Sequence, residues 1–173
     1  MLNLRIYPDP VLREVSKPVE SIDHGIQSLI EDMIETMKGH EGVGLAAPQV
    51  GILQRVIVIG IPDEEPIAIV NPELSKPIGE DLFEEGCLSL PGIRVSVKRA
   101  TKVMVKGLSP EGKVLKKQAK DLFARVLQHE VDHLNGILLI DKLPKKERLE
   151  FELNYIRTIS KKGVASKAPA MKL

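Results

Sequence analysis

The chain has 173 residues, 43% of them hydrophobic and 28% charged, with a net charge of +1. That balance suits one soluble globular domain over residues 1–173 and gives no reason to expect DNA or a membrane surface as a partner. The single cysteine, Cys87, excludes an intramolecular disulfide, and no apolar run is long enough to span a bilayer.

The N-terminus, "MLNLRIYPDP", lacks the charged and apolar segments of a secretory signal, so a cytoplasmic protein is expected. Residues 1–20 read as irregular. Residues 22–37 place Ile22, Ile26, Leu29, Ile30, Met33, Ile34 and Met37 at helical spacing, with Ser21 as cap and Gly39 as stop. "EGVGLAAPQVG" (41–51) reads as a loop from its three glycines and proline. "RVIVIGI" (55–61) and "PIAIVNP" (66–72) read as strands, followed by a mixed stretch over 73–92. Strands are expected again at 93–99, 101–108 and 113–119, with a turn at "SPEG" (109–112).

Residues 120–134 return to a helical period, with Asp121 near the start and Gly136 just past the end. A last helix over 144–160 begins with Pro144, and about 161–173 reads as a flexible basic tail. The order predicts an α+β fold: antiparallel or mixed strands packed around a central helix, with an N-terminal and a C-terminal helix.

The central helix carries "HEVDH" (129–133). His129 and His133 lie one turn apart on one face, where two imidazoles can bind one metal ion. Glu130 flanks them, placed to take a proton from a metal-bound water and pass it to a leaving group. Asp132 points away along the helix, which weakens it as a partner that orients a histidine. His24 and His40 read as ordinary surface residues.

Two histidines need a third ligand and an open position. Leu139 stands where one protease class has its third histidine, so that pattern fails. Glu150 and Glu152 lie in range for the other large class, but "KKERLEFEL" reads as a charged helix surface. Cys87, in "EEGCLSLPG" (84–92), is the remaining candidate. On its own it is as readily a buried inert thiol. A histidine pair short of one ligand favours the thiolate.

"GVGLAAPQ" (42–49), "EGCLS" (85–89) and "QHEVDHLNG" (128–136) together resemble the three signature motifs of the peptide deformylases, in order. "DPVLREVSKPV" (9–19) and the helix before the first motif look like the family too. The resemblance implies a single catalytic domain that removes the formyl group from the N-terminal formyl-methionine of newly made proteins, releasing formate. It implies a metal held by Cys87, His129 and His133, commonly Fe2+ with Zn2+, Ni2+ or Co2+ possible. Metal-bound water would attack the formyl carbon with Glu130 as general base and acid. Gln49 and the backbone N–H of Leu88 would donate to the developing oxyanion.

For the methionine side chain, Val43, Gly44, Leu122 and Val126 lie in or beside the motifs, although core packing explains the apolar ones equally well. Arg94 matches a family arginine that contacts substrate carbonyls, and reads equally as a solvated strand residue. In some relatives the C-terminal helix docks on the ribosome, and the lysine tail here gives that weak support. Two other classes compete: a zinc endopeptidase, supported only by H-E-x-x-H, and a metal-stabilised binding module, which the intact Gln49 and Glu130 argue against.

Overall fold

The structure is a computed structural model that describes residues 1–162. The expected basic tail therefore lies outside the described residues from position 163 on. Among the described residues, three α-helices and seven strands make an α+β fold: α1 (His24–Gly39), β1 (Gly44–Ala46), β2 (Val56–Ile59), β3 (Ile67–Ile78), β4 (Asp81–Cys87), β5 (Leu90–Arg99), β6 (Lys102–Leu108), β7 (Val114–Lys120), α2 (Asp121–Leu134) and α3 (Lys145–Lys162). Among the described residues, no helix is long and apolar enough to cross a membrane.

α1 starts two residues later than its apolar period suggests. Its cap is Asp23, whose carboxylate accepts from the Ile26 N–H at 3.0 Å, and not Ser21. The expected loop over 41–51 is also more ordered than its glycines imply. It holds β1, which pairs antiparallel with β2, and a 3-10 turn at Ala47–Val50 closed by Gly51 at φ 84°. The mixed stretch 73–92 is almost all strand: β3 runs on to Ile78, and β4 pairs antiparallel with β5.

The strands form a five-stranded sheet in the order β1-β2-β3-β6-β7 and a separate pair β4-β5. β2 explains why "VIVI" shows no polar alternation. Val56 and Val58 pack into a core with Ile26, Ile30, Met33 and Met37 of α1. Ile57 and Ile59 point the other way, into a second core with Val126, Leu127 and Leu134 of α2. A strand covered on both faces reads as a continuous apolar run. A third core gathers Tyr7, Leu12, Leu90, Val95, Val97 and Leu138–Ile140 around Cys87.

α2 ends as the glycine after it requires. Gly136 sits at φ 70°, where a Cβ would lie 2.3 Å from the Arg13 carbonyl oxygen. The Ile137 N–H donates back to Asp132 and the Gly136 N–H to His133, satisfying carbonyls the helix leaves open. That stop fixes the last turn of α2, from which His133 projects.

Candidate metal centre

Two elements from distant parts of the chain build the site. The end of β4 brings Cys87, and α2 brings His129 and His133; all three are buried. Their candidate donor atoms lie within 4.8 Å of one another. Cys87 Sγ is 3.3 Å from His133 Nε2, which is itself 3.3 Å from His129 Nε2. Two nitrogens bound tetrahedrally at about 2.0–2.1 Å stand about 3.3–3.4 Å apart, so the histidine spacing fits one first-row divalent ion. The donor set of one thiolate and two imidazoles suits such an ion too. Glu150 and Glu152 have no part in this cluster; Glu152 instead pairs with Arg148 at 3.2 Å.

Electrostatics favour a cation at the same point. Burial alone would lower the His129 imidazole. Hydrogen bonds to Cys87 and Glu85 outweigh burial and raise it to about 10. Burial and the charge on His129 hold His133 well below its ordinary value. An ion bound at these nitrogens would displace the proton that His129 holds.

The residue that orients His129 is one the sequence did not single out. Glu85, fully buried, stands 2.9 Å from His129 Nδ1. An Nδ1–H donating to that carboxylate leaves Nε2 as a free lone pair facing Cys87 and His133. Glu85 also accepts from Arg99 Nε at 2.7 Å, Arg99 Nη2 at 3.0 Å and Arg125 Nη1 at 2.7 Å. Burial alone would raise it; the bonds from His129 and Arg99 outweigh burial and keep the carboxyl well below the usual carboxylate range. Asp132 does lie away from the histidines and holds Arg99 at 2.8 Å. The signal for Glu85 was present in "EGCLS", but its partners lie 14, 40 and 44 residues away in the chain.

Glu130 follows His129 on α2 and feels its charge. It is 1% exposed, and its Oε2 is buried with no hydrogen-bond partner among the described residues. Burial pushes its carboxyl up to about 7, against the pull of His129 and Arg99. A buried, unpartnered carboxylate oxygen beside a cluster of metal-ligand type suits a group that exchanges protons with a small polar molecule.

Gln49 is drawn in by its 3-10 turn. Its carbonyl oxygen accepts from the Ala46 N–H at 2.9 Å, which aims the amide nitrogen at Cys87 Sγ (3.6 Å) and Ser89 Oγ (3.2 Å). Leu88 follows Cys87 directly and is buried against α1's core. Gly44 faces Glu130 and Val126. Val43 and Val126 are buried in the α2 core, with Leu122 partly buried beside them. Arg94 sits apart on β5, 3.7 Å from Glu84.

A buried centre of this kind defines a class, the metal-dependent hydrolases built on an H-E-x-x-H helix. The profile of the family described as Polypeptide deformylase matches residues 1–149. A curated peptide deformylase from Thermodesulfovibrio yellowstonii is 46% identical over 159 residues, covering 90% of this chain and 96% of that protein. The crystal structure of a peptide deformylase from Legionella pneumophila matches with a TM-score of 0.86 at 43% identity, covering 95% and 99% of the two chains. A Met-Ala-Ser-bound class I type b peptide deformylase from Acinetobacter baumannii matches with a TM-score of 0.80 at 35% identity, covering 83% and 98%. The chain belongs to the peptide deformylase family, metal-dependent hydrolases that remove the N-formyl group from nascent peptides.

Proposed function

We propose that the formyl group is hydrolysed at the cluster of Cys87, His129 and His133, within one catalytic domain formed by this chain. The observation that carries this is the meeting of those three donors within 4.8 Å beside an unpartnered oxygen of Glu130. The three would hold one divalent ion, Fe2+ in the cell, with Zn2+, Ni2+ or Co2+ as substitutes. Such an ion supplies a Lewis acid and a water that ionises near neutrality.

The chain's own residues do the rest. Glu130 accepts a proton from the attacking water as its oxygen bonds to the formyl carbon. The C–N bond then breaks, and Glu130 returns the proton to the leaving amine, freeing formate and a peptide with a free N-terminus. The Gln49 amide and the Leu88 N–H donate to the formyl oxygen as it gains charge. Val43, Gly44, Leu122 and Val126 form the wall for the methionine side chain. Arg94 meets the peptide backbone further along; the Acinetobacter relative bound to Met-Ala-Ser supports a peptide ligand that contains methionine. The protein works in the cytoplasm. It docks on the ribosome through α3, where Leu149, Leu153 and Ile156 are exposed at helical spacing.

The test is formate release from formyl-Met-Ala-Ser by the wild type and Glu130→Gln. The variant should lose about 100- to 10,000-fold in kcat while binding one ion per chain. Wild-type turnover in the variant, or internal cleavage of an unformylated peptide, overturns the assignment. Anaerobic metal analysis settles the ion. Ribosome co-sedimentation with and without residues 144–173 tests the docking, and equal pelleting ends it.

A further inference from the structure

α1 covers only part of the sheet face it packs on. It lies over Val56, Val58, Ala68 and Val70 and reaches Leu108 at the end of β6; beyond that, on the same face, Lys106, Lys116, Gln118 and Lys120 are exposed and Lys102 is half-buried. On that face the antiparallel register puts Lys102 directly opposite Lys120 and Lys106 directly opposite Lys116, while on its β3 side Lys106 stands opposite Glu73, outside ion-pair distance. Like charges in directly opposed cross-strand positions destabilise a sheet. Among the described residues, none of the four lysines has a carboxylate within ion-pair distance. Residues 102–120 carry six lysines and one acidic residue, in a chain whose net charge is +1.

Protection of a sheet edge does not account for this. β7 is an edge strand, where lysine discourages pairing with other chains. Lys102 and Lys106, however, stand on β6, which is paired on both sides. Lys117 alternates to the other face, where its ammonium lies over the Phe123 ring at 4.7 Å, so it is already used. By contrast, the described helix α3 mixes six basic residues with three acidic ones.

We propose that this four-lysine face of β6–β7 binds the phosphate backbone of RNA. Four ammonium groups in two pairs, about 13 Å apart along the strands, match a polyphosphate chain in charge. The face has no aromatic side chain on which a base would stack, so binding is independent of sequence. It lies on the side of the sheet away from α2, so a bound RNA leaves the catalytic centre open.

The test uses the full-length, metal-loaded protein and a labelled oligouridine, followed by fluorescence anisotropy. Four phosphate contacts on a single strand predict a log–log salt slope of about −3, or a loss of about 50-fold between 50 and 200 mM salt. Replacing Lys102, Lys106, Lys116 and Lys120 together by Gln should abolish binding, leave formate release unchanged and raise Tm, because the opposed charges are gone. The single variant Lys116→Glu, which sets an acid opposite Lys106, should also weaken binding while keeping the sheet folded. Undiminished binding in either variant, a flat salt dependence, or tighter capture by anionic phospholipid vesicles than by RNA would each overturn the proposal.

Discussion

At Gly44 a hydrogen stands where any other residue carries a β-carbon. A Cβ there would lie 2.3 Å from Oε1 of Glu130 and 2.8 Å from Cγ1 of Val126. Neither neighbour can give easily, since Val126 is fully buried and Glu130 nearly so. The glycine's role is thus to let β1 pass close to the carboxylate, rather than to make a turn. Gly44→Ala should push the carboxylate aside by a good part of an ångström, and a misplacement of that size costs about 100-fold in rate. Metal content should stay at the wild-type level, because the methyl group touches no donor atom. Parallel measurement of kcat and bound ion checks both halves. An alanine variant of full activity would mean that Glu130 has room the structure does not show.

The β4–β5 hairpin is held to α2 by charge as well as by packing. Glu85 on β4 meets Arg99 on β5 and Arg125 and His129 on α2, and Arg125 also bonds the Val97 carbonyl and Asp81. Glu85→Gln would leave two buried guanidinium groups short of their carboxylate, which costs about 3–5 kcal/mol. It would also release the His129 ring, lowering metal affinity by about 10- to 100-fold. Denaturant melts and chelator competition on the variant measure the two losses, and an unchanged midpoint would refute the first.

This hairpin is also where the sequence was least legible. The helices and β6 announce themselves by local periodicity, β2 by an unbroken β-branched run, β7 by the turn before it, and the histidine pair by its spacing on one helix. β4 reads "DLFEEGC", with exposed Leu82 and Phe83 beside the buried Glu85, an inversion of the usual inside–outside pattern. Only partners supplied by α2 and β5 make that inversion stable, and no local window contains them. The same holds for β1, whose strand character comes from pairing with β2 and not from its own residues.

At the scale of the whole molecule, the donors tie together parts that pack separately. Cys87 belongs to the core under the hairpin, whereas the histidines project from the helix that covers the main sheet. An ion bonded to all three is a cross-link between those two bodies, formed only in the native state. Anything that binds the folded chain alone stabilises it by RT ln(1 + [L]/Kd), about 4 kcal/mol at a thousandfold excess over Kd. Chelation should therefore lower Tm by several degrees, and added Zn2+ should restore it in proportion to the logarithm of free metal. Cys87→Ala removes the bond from the hairpin side, so its Tm should respond far less to the same titration. If chelation left the wild-type Tm untouched, the three side chains would not share an ion, and the catalytic assignment would fall with the cross-link.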